Sequence, residues 1–470
     1  MDVIKVLQME KWTRFVYLSI FIILFLFKPS FESVMNHSSL IIYLLFLFVA
    51  LFIHLISQKN KNWFSLDILF LLGFSIVHFQ WPIMMAFSNI EPERYTYILA
   101  DSNYINYGTW LSTMGIVSWL FGYSFLKNKR SGLKMNYQFN YSRLFWFTSI
   151  LFVGFLLLAG KNYLSGGIYK GEGGSAAGAG FSIYFQLLFS ISILILTAFV
   201  ILNKKNSYKS NPIIWLINLD KKYLILLFST IILFLGVGDR GGALQPIMGF
   251  LVLYGTLVRP IKLREFLLLI AAGALVMTLI GKGRGVTSSE NILVAGASNI
   301  EITSGYDLTL ELAKSSRALY KSLANVPQYH DFFFGKMWIS GFLSVVPLSQ
   351  NIYFQLTDNV MHEVGSSKYI TYLMRGKHST YGEGTTIIAD IYLNFGLFGV
   401  IFFMFLLGVF FKKVVNELNL QQNYYWIVPA IVLASLAFYM GRAAMPLVFR
   451  PIVWGLFLTM LFVKRKKLVS

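Results

Sequence analysis

Gly281-Lys282-Gly283-Arg284-Gly285 opens, and Arg375-Gly376-Lys377-His378-Ser379-Thr380-Tyr381-Gly382-Glu383-Gly384 closes, a long and mostly polar stretch in a chain whose other segments are apolar enough to cross a bilayer. Polar segments that cannot satisfy themselves in lipid must leave it. Residues 282–384 are therefore expected as one long extracytoplasmic loop. It is the one place with room for chemistry, and it reads as a lid over an active site.

The composition around that loop agrees. Of 470 residues 56% are hydrophobic, 17% aromatic and only 13% charged, with a mean hydropathy of +0.63, which excludes a soluble globular chain. The net charge of +19 arrives as short basic clusters between apolar runs. That pattern orients membrane helices and does not describe a nucleic-acid module. With no cysteine, the chain has no disulfide framework, thiolate metal site or cysteine nucleophile. Met1 to Arg14 is charged and the apolar run after it lacks a small-residue cleavage site, so the start reads as a retained first helix.

Apolar runs near the roughly 20 residues needed to span a bilayer fall at 15–27, 39–56, 66–87, 105–126, 144–160, 181–203, 223–238, 242–258, 265–281, 385–411, 425–441 and 443–463. They predict an all-α polytopic membrane protein of about 12 transmembrane helices, a single integral membrane domain over 1–470 with the 282–384 loop inside it. With the N-terminus in the cytoplasm, the inner connections hold 24 of the 40 Lys and Arg residues against six acids. That asymmetry puts both termini inside and the long loop outside.

Within the loop, Leu308, Leu312, Leu319 and Leu323 share a helical face while Lys314, Arg317 and Lys321 lie off it. The pattern fits a helix in the headgroup plane, with partner docking as the competitor. Phe332 to Leu356 is apolar but interrupted by Gly335, Gly341 and Pro347, which predicts a segment that dips into the membrane and returns. A glycine-rich stretch from Gly166 reads as a mobile connector. Gly236-Val237-Gly238-Asp239-Arg240-Gly241-Gly242 reads as a tight outer turn, and a bare turn would not need the arginine.

The basic residues expected on the outer side are Arg240, Lys282, Arg284, Arg375, Lys377, Arg442 and Arg450, most of them within a turn or two of a helix end. Arginine suits a diphosphate because its planar fork donates in pairs and stays charged at low dielectric. Arg450 lies inside an apolar run, where it costs on the order of 3 kcal/mol unless it faces a polar cavity or a partner. Structural pairing with Asp239 or Asp390 and snorkelling to headgroups are the alternatives. Asp390 sits within the tenth run as an intramembrane carboxylate, a functional candidate by default, although pairing with an outer arginine is the commoner outcome. His378 and Glu383 lie just before that run and supply candidates for a general base, the histidine without any tuning. A lone loop histidine is more often simply solvated. His54 and His78 fall in apolar runs and read as helix-packing residues. There is no Asp-x-Asp, no Walker loop and no His-Glu-x-x-His, so no metal and no cofactor is expected. The inventory suits a substrate that already carries a good leaving group.

Three features together resemble the O-antigen polymerase (Wzy) family of oligosaccharide repeat-unit polymerases. They are Gly-Asp-Arg-Gly-Gly at 238–242, the loop run Ser340-Gly341-Phe342-Leu343-Ser344-Val345-Val346-Pro347, and above all Gly382-Glu383-Gly384-Thr385-Thr386-Ile387-Ile388-Ala389-Asp390-Ile391-Tyr392-Leu393-Asn394-Phe395-Gly396-Leu397-Phe398-Gly399. The resemblance implies a GT-C-like polymerase or ligase architecture in the bacterial cytoplasmic membrane. It implies a lipid-linked glycan on undecaprenyl diphosphate as substrate and a chain-length-regulating co-polymerase as partner. Outer arginines would grip the lipid diphosphate, and a loop histidine or carboxylate would activate the acceptor hydroxyl. Arg240 and the segment from His378 to Asp390 match residue by residue, whereas Lys282, Arg284, Arg442 and Arg450 rest on position alone. A ligase transferring to a second acceptor, and a flippase for the same lipid-linked oligosaccharide, are the alternatives. Broken helices and midplane charges would favour the flippase.

Overall fold

Runs that satisfy their own backbone become helices in lipid, and each of the twelve expected runs holds one. The computed structural model describes residues 3–58, 62–87, 101–126, 137–165, 181–204, 211–283, 292–298, 306–357, 361–379, 382–420 and 424–465. Arg284 and the glycine-rich stretch from Gly166 lie outside them. Before the polar segment come α1 (Val3–Leu26), α2 (His37–Ser57), α3 (Leu66–Phe87), α4 (Ile105–Phe125), α5 (Tyr141–Leu158), α6 (Phe181–Lys204), α7 (Lys221–Val237), α8 (Arg240–Leu257) and α9 (Leu263–Gly283). Within it lie α10 (Arg317–Asn325), α11 (Lys336–Leu343), α12 (Ser349–Leu356) and α13 (Ser366–Arg375). After it come α14 (Ile387–Leu420), α15 (Ile427–Leu436) and α16 (Phe449–Phe462).

Among the described residues, seven helices are long and apolar enough to cross a membrane: α2, α3, α5, α6, α9, α14, and α16 with its lead-in from Met445. The chain is an all-α, multi-pass membrane protein. Others fall short for identifiable reasons. α4 carries Asn106, Thr109, Ser112, Thr113 and Ser118, all buried, while α7 has 17 residues and α15 only 10.

α4 is the axis of the bundle, buried along nearly its whole length, and α14 packs along it. Gly122 faces the backbone carbonyl of Phe405, and Gly408 faces that of Trp119, so a β-carbon at either position would overlap main chain. Small residues of this kind let helices close in lipid, where no hydrophobic force drives them together. Segments expected on one side of the membrane also meet one another. Strand β1 (Tyr137–Phe139) pairs antiparallel with β2 (Val463–Arg465), Tyr137 opposite Arg465. Trp63 N–H donates to Ile261 O at 3.0 Å, and Ile261 N–H donates to Asn62 Oδ1 at 3.1 Å.

Three features depart from the sequence reading. The tenth run is not one straight span. Gly396 has φ 64 and ψ −159, a backbone region essentially reserved for glycine. Ile388 and Val400, twelve residues apart, both pack at Gly115 in the middle of α4, whereas a straight helix would hold them about 18 Å apart. The chain therefore reverses at Gly396, leaving 387–395 as a short arm and 397–420 as the long limb. The carbonyls of Leu393 and Asn394, freed by the break, accept from Phe333 N–H at 3.0 Å and Phe334 N–H at 2.8 Å. Each would otherwise cost about 2–7 kcal/mol in an apolar setting. Phe332 to Leu356 holds the two short helices α11 and α12, which these bonds lead into. Trp338 packs edge-on against Phe395 and Phe403 at 5.0 and 4.7 Å.

The eleventh run is likewise cut short. α15 stops at Leu436, and 437–448 passes through 3-10 turns before α16. Phe438 and Gly441 sit against Gly73 and Phe74 of α3, nearer its α2 end than its far end, so this break lies inside the bundle. Finally, the apolar face at Leu319 and Leu323 rests on the bundle and not on lipid. Leu319 and Leu323 are fully buried, and the Tyr320 ring fills the space that Gly108 leaves on α4. Gln80 of α3 ties the start of the run, donating to Tyr306 O at 3.0 Å and accepting from Thr309 Oγ1 at 2.7 Å. The apolar face found a helical partner within its own chain.

Candidate active site

Arg240 is the first residue of α8. The turn before it needs glycine, since Gly238 sits in the left-handed region at φ 86. Asp239 is occupied as the helix cap, accepting from Gly242 N–H at 3.0 Å. The Arg240 guanidinium lies against Gly281 at the end of α9, where a side chain would displace it. Lys282 follows directly and is exposed.

Arg442 lies in the break between α15 and α16, its Nη1 3.4 Å from the carbonyl oxygen of Glu311. Glu311 is half-exposed and accepts from Lys314 Nζ at 3.2 Å. Burial pushes the Glu311 carboxyl up, but Lys314, Arg240 and Arg442 together hold it below the usual carboxylate range. Three stretches far apart in sequence, at 240, 311–314 and 442, thus converge on one cationic cradle around a single acid. Sequence reasoning placed Arg240 and Arg442 together and missed Glu311 and Lys314. Lys314 carries a signal only as an off-face charge of the 308–323 pattern, and Glu311 carries none.

The remaining expected site residues go elsewhere. Arg375 Nε donates to Glu383 Oε1 at 2.5 Å, and Arg317 Nη2 donates to Glu383 Oε2. The Glu383 N–H donates to Thr371 Oγ1 at 2.9 Å. Glu383 therefore clamps α10 to α13, and Arg317 is a partner that sequence reasoning did not find. Asp390 is buried on the short arm of α14. It accepts from Trp338 Nε1 at 2.8 Å, from Met445 N–H at 2.9 Å and from Ser366 Oγ. The expected arginine partner is replaced by three neutral donors, because the arm faces α11, α13 and the 437–448 break rather than the cradle. Arg450, in α16, lies one turn before Trp454, whose ring stacks with Tyr184 of α6, and Tyr184 is its electrostatic neighbour. His378 is exposed in the turn after α13.

His54 bonds Asp67 Oδ2 at 2.8 Å, and His78 meets Ser112 Oγ at 3.2 Å; both are buried between helices. Among the described residues no group of three His, Asp or Glu gathers as a metal site.

Arg240, Arg442 and Lys314 supply donors suited to an anion, while Glu383 and Asp390 tie the helices of the polar segment to one another and to α14. The family model for O-antigen polysaccharide polymerase Wzy matches residues 14–468, nearly the whole chain. No curated protein and no solved structure matches.

Proposed function

The chain belongs to the O-antigen polysaccharide polymerase Wzy family, and on that premise we propose that it transfers a growing glycan from undecaprenyl diphosphate to the non-reducing end of an incoming lipid-linked repeat unit. The observation that supports this reading is that Arg442 and Lys314 both meet Glu311, while the Arg240 guanidinium lies on Gly281 of α9, one turn from the Thr278 that bonds Leu308. In the reaction the acceptor hydroxyl attacks the anomeric carbon while the diphosphate departs with its electron pair. Charge grows on the leaving group, so cations already held in place stabilise the transition state more than the ground state. Bidentate arginines do this without a metal.

In this reading Arg240 and Arg442 grip the diphosphate, with Lys282 at the rim. Arg375 serves through the Glu383 clamp instead, and Arg450 lies along the path of the lipid. Asp390 acts as a positioning residue: by accepting from Met445 N–H it fixes the break that carries Arg442. Broken helices at 396 and 437–448 are a feature expected of a flippase, but family membership favours the polymerase. His378, exposed beyond α13, is placed to meet an acceptor sugar arriving from the loop side. The enzyme would work in the bacterial cytoplasmic membrane with both termini inside, alongside a chain-length-regulating co-polymerase.

The test is reconstitution of purified protein with a labelled lipid-linked repeat unit, with products resolved on a gel. A ladder supports the polymerase. Transfer to a second acceptor alone means a ligase, and relocation of the lipid between leaflets without a covalent product means a flippase.

A further inference from the structure

We propose that Glu311 is the general base of the transfer, a role resting on the polymerase reading above. A base must be ionised, reachable by solvent or substrate, and oriented by neighbours. The acids singled out by sequence fail one of these conditions. Glu383 spends both carboxylate oxygens on Arg317 and Arg375, Asp390 is buried under three donors, and Asp239 caps α8. Glu311 meets all three conditions. Its side chain is half-exposed and held by Lys314, and its backbone carbonyl is met by Arg442.

Its placement toward Arg240 follows from α9. Thr278 Oγ1 donates to the carbonyl of Leu308 at 3.3 Å, one helical turn before Glu311. Gly281, one turn further along α9 from Thr278, is the residue against which the Arg240 guanidinium lies. The acid therefore stands beside the cations that would hold the leaving diphosphate.

The step balances without any further reactant. The acceptor O–H proton passes to the Glu311 carboxylate as the acceptor oxygen bonds to the anomeric carbon. The bond from that carbon to the diphosphate oxygen breaks, and its electron pair leaves on undecaprenyl diphosphate, facing Arg240, Arg442 and Lys314. The cradle also couples basicity to substrate. Burial pushes the Glu311 carboxyl up, but the neighbouring cations, Lys314 first, hold it below the usual carboxylate range. A bound diphosphate neutralises them and restores the carboxylate as a proton acceptor only when a donor is present.

The experiment measures polymer formation by the purified full chain with a labelled lipid-linked repeat unit, comparing wild type with Glu311→Gln, Glu311→Ala and His378→Ala. Glu311→Gln is expected to lower kcat about a hundredfold to ten-thousandfold while leaving KM unchanged. Added formate should restore part of the Glu311→Ala rate by supplying a carboxylate, a rescue that a purely structural residue would not show. His378→Ala should act mainly on KM. Wild-type turnover in Glu311→Gln, or a loss confined to KM, overturns the assignment and leaves the polymerase reading standing. A kcat collapse in His378→Ala with Glu311→Gln active gives the role to the histidine. If wild type itself yields no ladder, the polymerase reading falls, and the base assignment with it.

Discussion

Replacing Glu383 with glutamine separates a loop clamp from a catalytic acid. The Glu383 side chain is 4% exposed, between Arg317 at 18% and Arg375 at 42%. Glutamine keeps the shape but leaves two guanidinium groups against a neutral amide. Removing one partner of a buried ion pair costs about 3–5 kcal/mol. Solvent screens the Arg375 half of this triad, so roughly 2–3 kcal/mol is the expected loss. It should fall on the docking of α10 and α13, not on the membrane helices. At about 1.4 kcal/mol per tenfold change, amides in these two helices should exchange with deuterium roughly thirty- to a hundredfold faster. Peptides from α4 and from the long limb of α14 should exchange at wild-type rates. Exchange measured by mass spectrometry on the reconstituted protein checks this directly. Unchanged protection at 317–325 and 366–375 together with lost turnover would refute the clamp and return Glu383 to the chemistry.

Arg240→Ala should abolish polymer formation at normal protein levels, and Arg240→Lys should retain only a little, because a point charge replaces a paired donor. Each charge-assisted hydrogen bond lost is worth about ten- to a hundredfold in rate, read from initial rates in reconstituted membranes. Gly396→Ala should lower the thermal unfolding midpoint, since alanine in that backbone conformation costs about 1–3 kcal/mol and its β-carbon would stand 3.1 Å from the Phe332 ring. An unchanged midpoint would argue against the reversal at Gly396. The chain has no cysteine, so single cysteines at Tyr329, 83% exposed, and at Asn218 report the sidedness. An impermeant thiol reagent on intact cells should label position 329 and leave 218 untouched, and the reverse pattern inverts the topology.

Helices were legible because a run such as 39–56 states its environment through composition alone. Their breaks were not. Leu393-Asn394-Phe395-Gly396 is as apolar as the spans around it, and whether glycine there sits in a helix or reverses it depends on distant donors, the N–H groups of Phe333 and Phe334. The same holds for the loop. The apolar face at Leu319 and Leu323 was visible, but headgroups and Gly108 of α4 are equally good partners until the bundle is assembled. Within the site, Arg240 stood out because it follows a glycine turn, and Arg442 because it falls at the junction of two apolar runs. Arg317 and Glu383 are 66 residues apart, and no local spacing announces such a pair. Asp390 reads from sequence as a functional candidate or as the partner of an outer arginine, and the structure gives it neutral donors instead. Its partners, an indole, a hydroxyl and a backbone N–H, carry no charge pattern by which sequence could have found them.

The direction of chain growth tests the central claim most directly. Reconstituted protein would be given a short pulse of labelled lipid-linked repeat unit, then an excess of unlabelled unit, and the polymer trimmed from its non-reducing end. If the growing glycan leaves the diphosphate held at Arg240 and Arg442 for each incoming unit, the pulsed units lie at the non-reducing end and are released first. Label retained next to the lipid, with new units added at the far end, would contradict the account.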